Sequence, residues 1–222
     1  MDNNYFKVLR SGSHSTFQDN GFINKQHLGI TTGGVIDPEL YKLSNKLVNN
    51  SLNLSTLEFC LQGPSLKLMN GIARVVISGN VSFNIITKKN TYKGVPFKSY
   101  LLKKGDILDI LFTIQSNYGY LSVEGGFNIS KEFGSFSTLT ISKIGANCGY
   151  KITEGQELFF NKKGTNLNSE INFKIKNLSK YIRVLPGPQM HFFFPRIIKK
   201  FFDKKFLVSN TSNRMGIRLE GN

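Results

Sequence analysis

From Thr56 onward the apolar residues fall into short runs, each closed by turn-forming residues, and this punctuation constrains the fold more than any other feature. TLEFCLQ, SLKLM, ARVVIS and VSFNII are β-branched or aromatic, and Gly63-Pro64, Asn70-Gly71 and Gly79-Asn80 separate them. A turn at Lys103–Asp106 leads into ILDILFTI, and GYLSVEGG follows as a strand ending on a glycine pair. STLTIS, INFKIKN, YIRVLPG, FLVSN and IRLEG continue the series, and YFKVL (Tyr5–Leu9) opens it. Ser11–Gly34 is dense in Gly, Ser, Thr and Asn and reads as turns; ISKEFG reads as one helical turn, and Asn161–Ser169 as an exposed loop.

Only two stretches carry helical spacing. Asp37 is an N-cap, Pro38 suits the first helical position, and Leu40, Leu43, Leu47 and Val48 share a face, giving a helix over 38–49. Phe193, Phe194, Ile197, Ile198 and Phe201 repeat that spacing, with Pro195 in the first turn. Many short strands with two helices predict a mainly β barrel or sandwich-like fold. We divide the chain at 90/91: an N-terminal part, 1–90, holding the first helix, and a β-rich remainder, 91–222.

Composition decides which functions to set aside. With 40% apolar residues and 19 phenylalanines the chain can offset the entropy of ordering, so it folds. A net charge of +15 invites nucleic acid, yet the surplus is lysine scattered over Asn- and Gly-rich turns, while arginine, the better reader of phosphates and bases, is scarce. We therefore expect no nucleic-acid partner. No apolar run spans a bilayer and the N-terminus lacks an export pattern, so the expectation is a cytoplasmic protein off the membrane. Cys60 reads as a buried thiol in an apolar strand and Cys148 as a turn residue. His14, His27 and His191 are too scattered for a metal motif, so no metal is expected. There is no Walker A loop, dinucleotide fingerprint or nucleophile elbow.

Four clusters remain. Gln18, Asp19, His27, Gly33-Gly34 and Asp37 crowd a turn-rich region before a helix N-terminus, where helix capping by Asp37 competes with a direct role. Asn45 interrupts the apolar face of the first helix. Arg183 precedes the rigid Pro186–Gln189 turn, which presents Gln189. Arg214, Arg218 and Glu220 stand among glycines, where guanidinium forks suit a carboxylate or phosphate and an Arg218–Glu220 ion pair is the structural alternative.

In order along the chain, QDNG, HLGITTGGVIDPELYKLSNKLVNN, LEFCLQGPSLKL, VISGN, GYLSVEGGFN, FGSFST, IRVLPGPQ and SNRMGIRLEG resemble the biotin-dependent carboxyltransferase family. That family includes the second allophanate-hydrolase-type subunit and the C-type subunit of bacterial 5-oxoprolinase. The resemblance implies cyclophilin-like β-barrel architecture and a complex with partners like the B-type and A-type subunits of 5-oxoprolinase. It implies a hydrolase, with ATP used by the complex to open 5-oxoproline to glutamate. Other branches transfer a carboxyl group by way of biotin; this chain has no Met-Lys acceptor, so biotin would come from elsewhere. Carried onto this sequence, the resemblance makes Asp19, Asp37, Arg214 and Glu220 the candidate catalytic residues. Gln18, His27, Gly34, Asn45, Arg183, Gln189 and Arg218 are the candidate substrate- or nucleotide-binding residues.

Six positions depart from the family pattern. Phe22, Tyr118, Phe136 and Tyr150 stand where it has arginine, Lys46 also replaces arginine, and Asn213 replaces an acid. The family also continues past RLEG. We therefore expect an incomplete second barrel, completed by a separate chain that supplies the missing C-terminal third. The alternatives to an active 5-oxoprolinase component are a carboxyltransferase or allophanate-hydrolase-like one, and an inactive family member serving as a binding or regulatory module.

Overall fold

The computed structural model describes residues 3–114, 116–161, 181–211, 214 and 216–221. The chain divides into two compact units, Met1–Lys174 and Ile175–Asn222.

The first unit is mainly β. Its strands are β1 (Tyr5–Arg10), β2 (His14–Gln18), β3 (Thr56–Cys60), β4 (Ser65–Asn70), β5 (Ile72–Ser78), β6 (Val81–Ile86), β7 (Thr91–Lys93), β8 (Ser99–Lys103), β9 (Ile107–Thr113), β10 (Tyr118–Val123), β11 (Thr138–Leu139), β12 (Ile144–Gly145) and β13 (Glu157–Phe159). One sheet runs β13-β1-β4-β9-β6-β7 and the other β2-β3-β10-β5-β8. Alternation sends every second side chain of both sheets into one core: Phe6 and Val8, Leu57 and Phe59, Val75 and Ile77, Phe83 and Ile85, Leu108 and Ile110 are all buried there. Among the described residues the pairings leave two open-edged sheets around this core, with no closed ring. β8, β9 and β10 lie inside sheets whose other strands mostly precede residue 90, so the sheets cross 90/91 and the compact division falls at 174/175.

Three segments differ from the sequence expectation. His14–Gln18 is a strand within the stretch read as turns; Phe17 enters the core while Thr16 and Gln18 face a buried polar layer, which hides the alternation. ISKEFG forms no helical turn. Glu132 and Ser135 instead bridge across Phe133-Gly134, where Phe133 takes a left-handed φ of 49°. Of STLTIS only Thr138-Leu139 pairs, with Ile144-Gly145. INFKIKN and nearly all of the Asn161–Ser169 loop lie outside the described residues.

Helix α1 (Pro38–Leu47) follows its sequence signals: the Asp37 carboxylate accepts from the Glu39 and Leu40 amides, and Pro38 occupies the first turn. It packs on β10, β5 and β3, covering the outer face of the five-stranded sheet. That interface is mostly polar. Ser44 Oγ lies 2.7 Å from Ser122 Oγ, Ser78 Oγ donates to the Leu40 carbonyl, and Asn45 Nδ2 donates to the Leu54 carbonyl. A small apolar cluster of Leu47, Val48 and Val76 closes one end. Elsewhere in the unit, Arg74 and Glu124 form a buried ion pair, Nε to Oε2 3.7 Å.

In the second unit, helix α2 (Pro195–Asp203) matches the Phe-rich sequence signal, and β14 (Phe206–Val208) pairs with β15 (Leu219–Gly221). The expected YIRVLPG strand does not form: residues 182–186 have no regular structure and are exposed. Among the described residues no helix is long and apolar enough to cross a membrane.

Candidate functional site

The end of β2 builds the site. Once Gln18 is in place opposite Thr56 of β3, the chain turns back at Asp19 and buries its carboxylate. Four donors converge on that carboxylate. The Gly21 amide (2.9 Å), Ser135 Oγ (2.5 Å) and Ser137 Oγ (2.7 Å) reach Oδ1, and the Phe136 amide (2.9 Å) reaches Oδ2. The Asp19 amide in turn donates to Ser137 Oγ and the Asp19 carbonyl accepts from Val35. Three donors crowd Oδ1 while Oδ2 takes a single amide, so Asp19 organises the 19–22, 33–35 and 135–137 segments chiefly through Oδ1.

The loop after Asp19 closes on itself through Phe22 N–H to the Thr32 carbonyl and returns beside Asn20. There Gly34, at φ 82°, leaves no room: a Cβ would stand 2.9 Å from the Asn20 carbonyl carbon. Gly34 is therefore a crossing point of two backbones. His27 is exposed on a 3-10 turn, Gln26–Leu28, in the outer part of this loop.

The loop then enters α1. The Asp37 amide donates to Tyr120 Oη (2.7 Å), Tyr120 Oη donates to Glu58 Oε2 (2.9 Å), and the Ile36 amide donates to that same oxygen (2.9 Å). Burial, reinforced by the Glu58 carboxylate, pushes the Tyr120 phenol far above its ordinary value, so it stays a neutral donor. Burial, with Asp19 second, also raises Tyr41 strongly. Tyr41 Oη, Gln18 Oε1 and Thr56 Oγ1 are buried without a hydrogen-bond partner among the described residues. Polar capacity is thus left over at this end of the sheet.

The expected site residues separate by unit. Gln18, Asp19, Gly34, Asp37 and Asn45 belong to one polar layer in the first unit. Gln18 Nε2 donates to Thr16 Oγ1 and the Thr138 carbonyl, and Asn45 Oδ1 accepts from Asn50. Asp37 caps α1 and Asn45 ties α1 to the 50–54 turn, so both hold the scaffold in place. Arg183, Gln189, Arg214, Arg218 and Glu220 belong to the second unit; Glu220 and Arg218 are exposed on and beside β15, and Leu207 opposes Glu220 across the hairpin.

Sequence reading missed Glu58, Tyr120, Tyr41, Ser135 and Ser137. A signal existed for the strand residues: Glu58 alternates with Leu57 and Phe59, and Tyr120 and Ser122 flank Leu121, so all three point away from the apolar core. Cys60 is half-buried rather than fully buried. Its thiol is raised by burial and then by Glu58, which disfavours a nucleophilic thiolate.

The aromatic replacements are informative. Phe22 is fully buried, with Gly145 and Gly33 close around its ring. Lys131 Nζ lies 4.9 Å from the Phe136 ring centre and Lys143 Nζ 5.7 Å from that of Tyr150. At these two positions, where the resemblance led us to expect arginine, a lysine stands over an aromatic ring. A triphosphate does not fit the Asp19 cluster: its donors are spent on a carboxylate, and no lysine or arginine among the described residues bonds into it. Among the described residues no three His, Cys, Asp or Glu side chains are placed to hold a metal ion.

Comparison with known proteins agrees with this architecture. The chain is 28% identical to urea amidolyase of Saccharomyces cerevisiae over 228 residues, covering 97% of this chain and 12% of that protein. It is 27% identical to the C-type 5-oxoprolinase subunit of Escherichia coli over 215 residues, covering 97% of this chain and 68% of that one. The crystal structure of Kluyveromyces lactis urea amidolyase superposes with a TM-score of 0.87 at 27% identity, over all of this chain and 14% of the larger one. The model of the carboxyltransferase domain, subdomain A and B, matches residues 28–222, and the chain belongs to that family.

Proposed function

We propose that this chain is one component of an ATP-dependent 5-oxoprolinase, opening 5-oxoproline to glutamate together with partners like the B-type and A-type subunits of that enzyme. The observation that carries this reading is the likeness to the C-type 5-oxoprolinase subunit along nearly the whole of this chain.

The chemistry explains what the chain has to supply. A lactam carbonyl is a poor electrophile, and its opening needs cationic or N–H donors where negative charge develops on oxygen. Lys131 and Lys143, held over aromatic rings beside the Asp19-organised loops, are the cations of this region best placed to meet such charge. Asp19 serves as a positioning residue that fixes the 135–137 segment carrying Phe136. In this reading ATP is used by the complex as a whole. Biotin, if used, arrives on another chain.

A second reading, carboxyl transfer, is favoured by the family itself and by the fold likeness to urea amidolyase. A third, an inactive binding module, is favoured by the aromatic side chains at Phe22 and Tyr118, which carry no positive charge where the family has arginine. Co-expression of the chain with its partner subunits and assay of glutamate release from 5-oxoproline separates the three. ATP-dependent release that falls at least tenfold in Lys131→Ala supports the first. Carboxyl transfer to urea without lactam opening supports the second, and an assembled complex with neither activity supports the third.

A further inference from the structure

Lysines that are scattered along the sequence meet in space at one corner of the first unit. Between Glu58 and Asp106 the chain has no acid and eight Lys and Arg. Two lysine pairs from this stretch sit on turns. Lys88 and Lys89 lie between β6 and β7, and Lys103 and Lys104 lead from β8 toward β9. Ile86 pairs with both Thr91 of β7 and Ile107 of β9, so the turn leaving β6 and the turn entering β9 close the same end of the six-stranded sheet. The turns touch: Lys88 Cε lies 3.7 Å from where a Cβ on Gly105 would stand. All four lysines are exposed. Arg10 and Arg74 have Asp109 and Glu124 as ion-pair partners, whereas none of these four lysines forms an ion pair among the described residues. The acid of this corner, Asp106, accepts the Lys103 amide at Oδ2. Charged tips of this kind are complete in water and need no further chain to bury them; they act on what diffuses near.

We propose that this corner is an electrostatic docking surface for the acidic face of a partner protein. The backbone amides of the two turns are already engaged. Those of Lys89 and Asn90 donate to Thr87 Oγ1, that of Gly105 to the Leu68 carbonyl, and that of Asp106 to the Lys103 carbonyl. No nest of free N–H groups is left there to grip a single phosphate, so recognition falls to four flexible ammonium groups. Such groups suit carboxylates spread over a surface, and they speed encounter with it. Nucleic acid is the poorer occupant. The two turns carry lysine and no arginine fork, and the tyrosines of this corner offer no open stacking platform: Tyr92 and Tyr100 lie 6.4 Å apart, with Lys98 Nζ 5.6 Å over Tyr100. A bilayer is poorer too, because neither Thr87–Asn90 nor Lys103–Asp106 has an apolar side chain to insert. A second copy would bring the same lysines against the first and be repelled. The inference concerns an interaction surface and holds whichever reaction the family site performs.

Fluorescence anisotropy with the full chain tests it, using labelled poly-glutamate as the probe and an oligothymidylate of equal charge as its rival. The expected result is saturable, salt-weakened binding of poly-glutamate. Reversing the corner with Lys88→Glu, Lys89→Glu, Lys103→Glu and Lys104→Glu together should weaken it at least tenfold. The control carries the same change of charge elsewhere, as Lys25→Glu, Lys42→Glu, Lys151→Glu and Lys205→Glu, and should lose less than threefold. All eight lysines are exposed, so neither loss comes from unfolding. Equal loss in the two variants would mean that total charge alone is being read, and overturns the proposal. So does tighter binding of the oligothymidylate than of poly-glutamate. Binding to phosphatidylserine vesicles that outlasts peptide binding as salt is raised overturns it as well, and so does self-association that only the corner variant loses.

Discussion

The two units invert one another's surface chemistry. In Met1–Lys174 polar groups are inside: Asp19, Glu58, Asn45, Tyr120 and Ser122 are buried, and each is held by named partners. In Ile175–Asn222 apolar groups are outside, with Phe192, Phe194, Phe202 and Leu207 all exposed. Buried polar groups are costly to disturb because each one removed leaves its partners unsatisfied, whereas an exposed apolar side chain has little folding energy left to lose. The difference predicts that stability resides in the first unit.

Substitutions can break or sharpen that contrast. Asp19→Ala should be the most damaging, stranding two hydroxyls and two amides and costing about 3–5 kcal/mol in urea unfolding. A value below about 1 kcal/mol would mean the loops rearrange without it. Tyr120→Phe should cost about 1–2 kcal/mol by leaving Glu58 one donor short and the Asp37 amide without its acceptor. Tyr120 and Tyr41 also make stability depend on alkaline pH. Their phenols are raised in the fold above the ordinary 10.0, so the folded state keeps protons that the unfolded state releases. Their contribution is complete below about pH 10 and is lost as pH rises beyond it, at up to about 1.4 kcal/mol per pH unit for each phenol. Tyr120→Phe should flatten that slope, as read from unfolding curves alongside ultraviolet titration of tyrosinate. Asp37→Ala should cost about 1 kcal/mol through the lost cap, with Asp37→Asn nearly neutral. Phe201→Glu, in the second unit, should change the unfolding of the first by less than about 0.5 kcal/mol. A larger shift would dissolve the contrast.

The fold was legible where side chains alternate between apolar and polar, and where a helix carries its own start signal. Thr56–Ile86 and the Asp37-Pro38 cap are of that kind. It was illegible where both faces of a strand are buried but one is polar. His14–Gln18 reads as turn because Thr16 and Gln18 meet Glu58 and Thr56 rather than solvent. The short strands β7, β12 and β13 carry too few residues for any period to show. At the site, Asp19 was visible as a motif residue, but its partners Ser135 and Ser137 lie more than a hundred residues away, and only tertiary folding joins them. An apolar groove in the second unit was visible only as a helical face; its concavity comes from Leu185 and Met190, which no periodicity connects to α2.

The polar seat of α1 has a mechanical consequence. An oily interface lets a helix slide or rotate by small steps at little cost, because dispersion forces have no direction. The hydrogen bonds that join Ser44 with Ser122, Asn45 with the Leu54 carbonyl, and the Leu40 carbonyl with its donor Ser78 work instead as a detent. A shift of one residue along α1 would break them together, so the helix has one seat and its N-terminus one position. The loop that runs from Asp19 to Asp37 is therefore anchored at both ends, and any movement in it is confined to the exposed arc around His27.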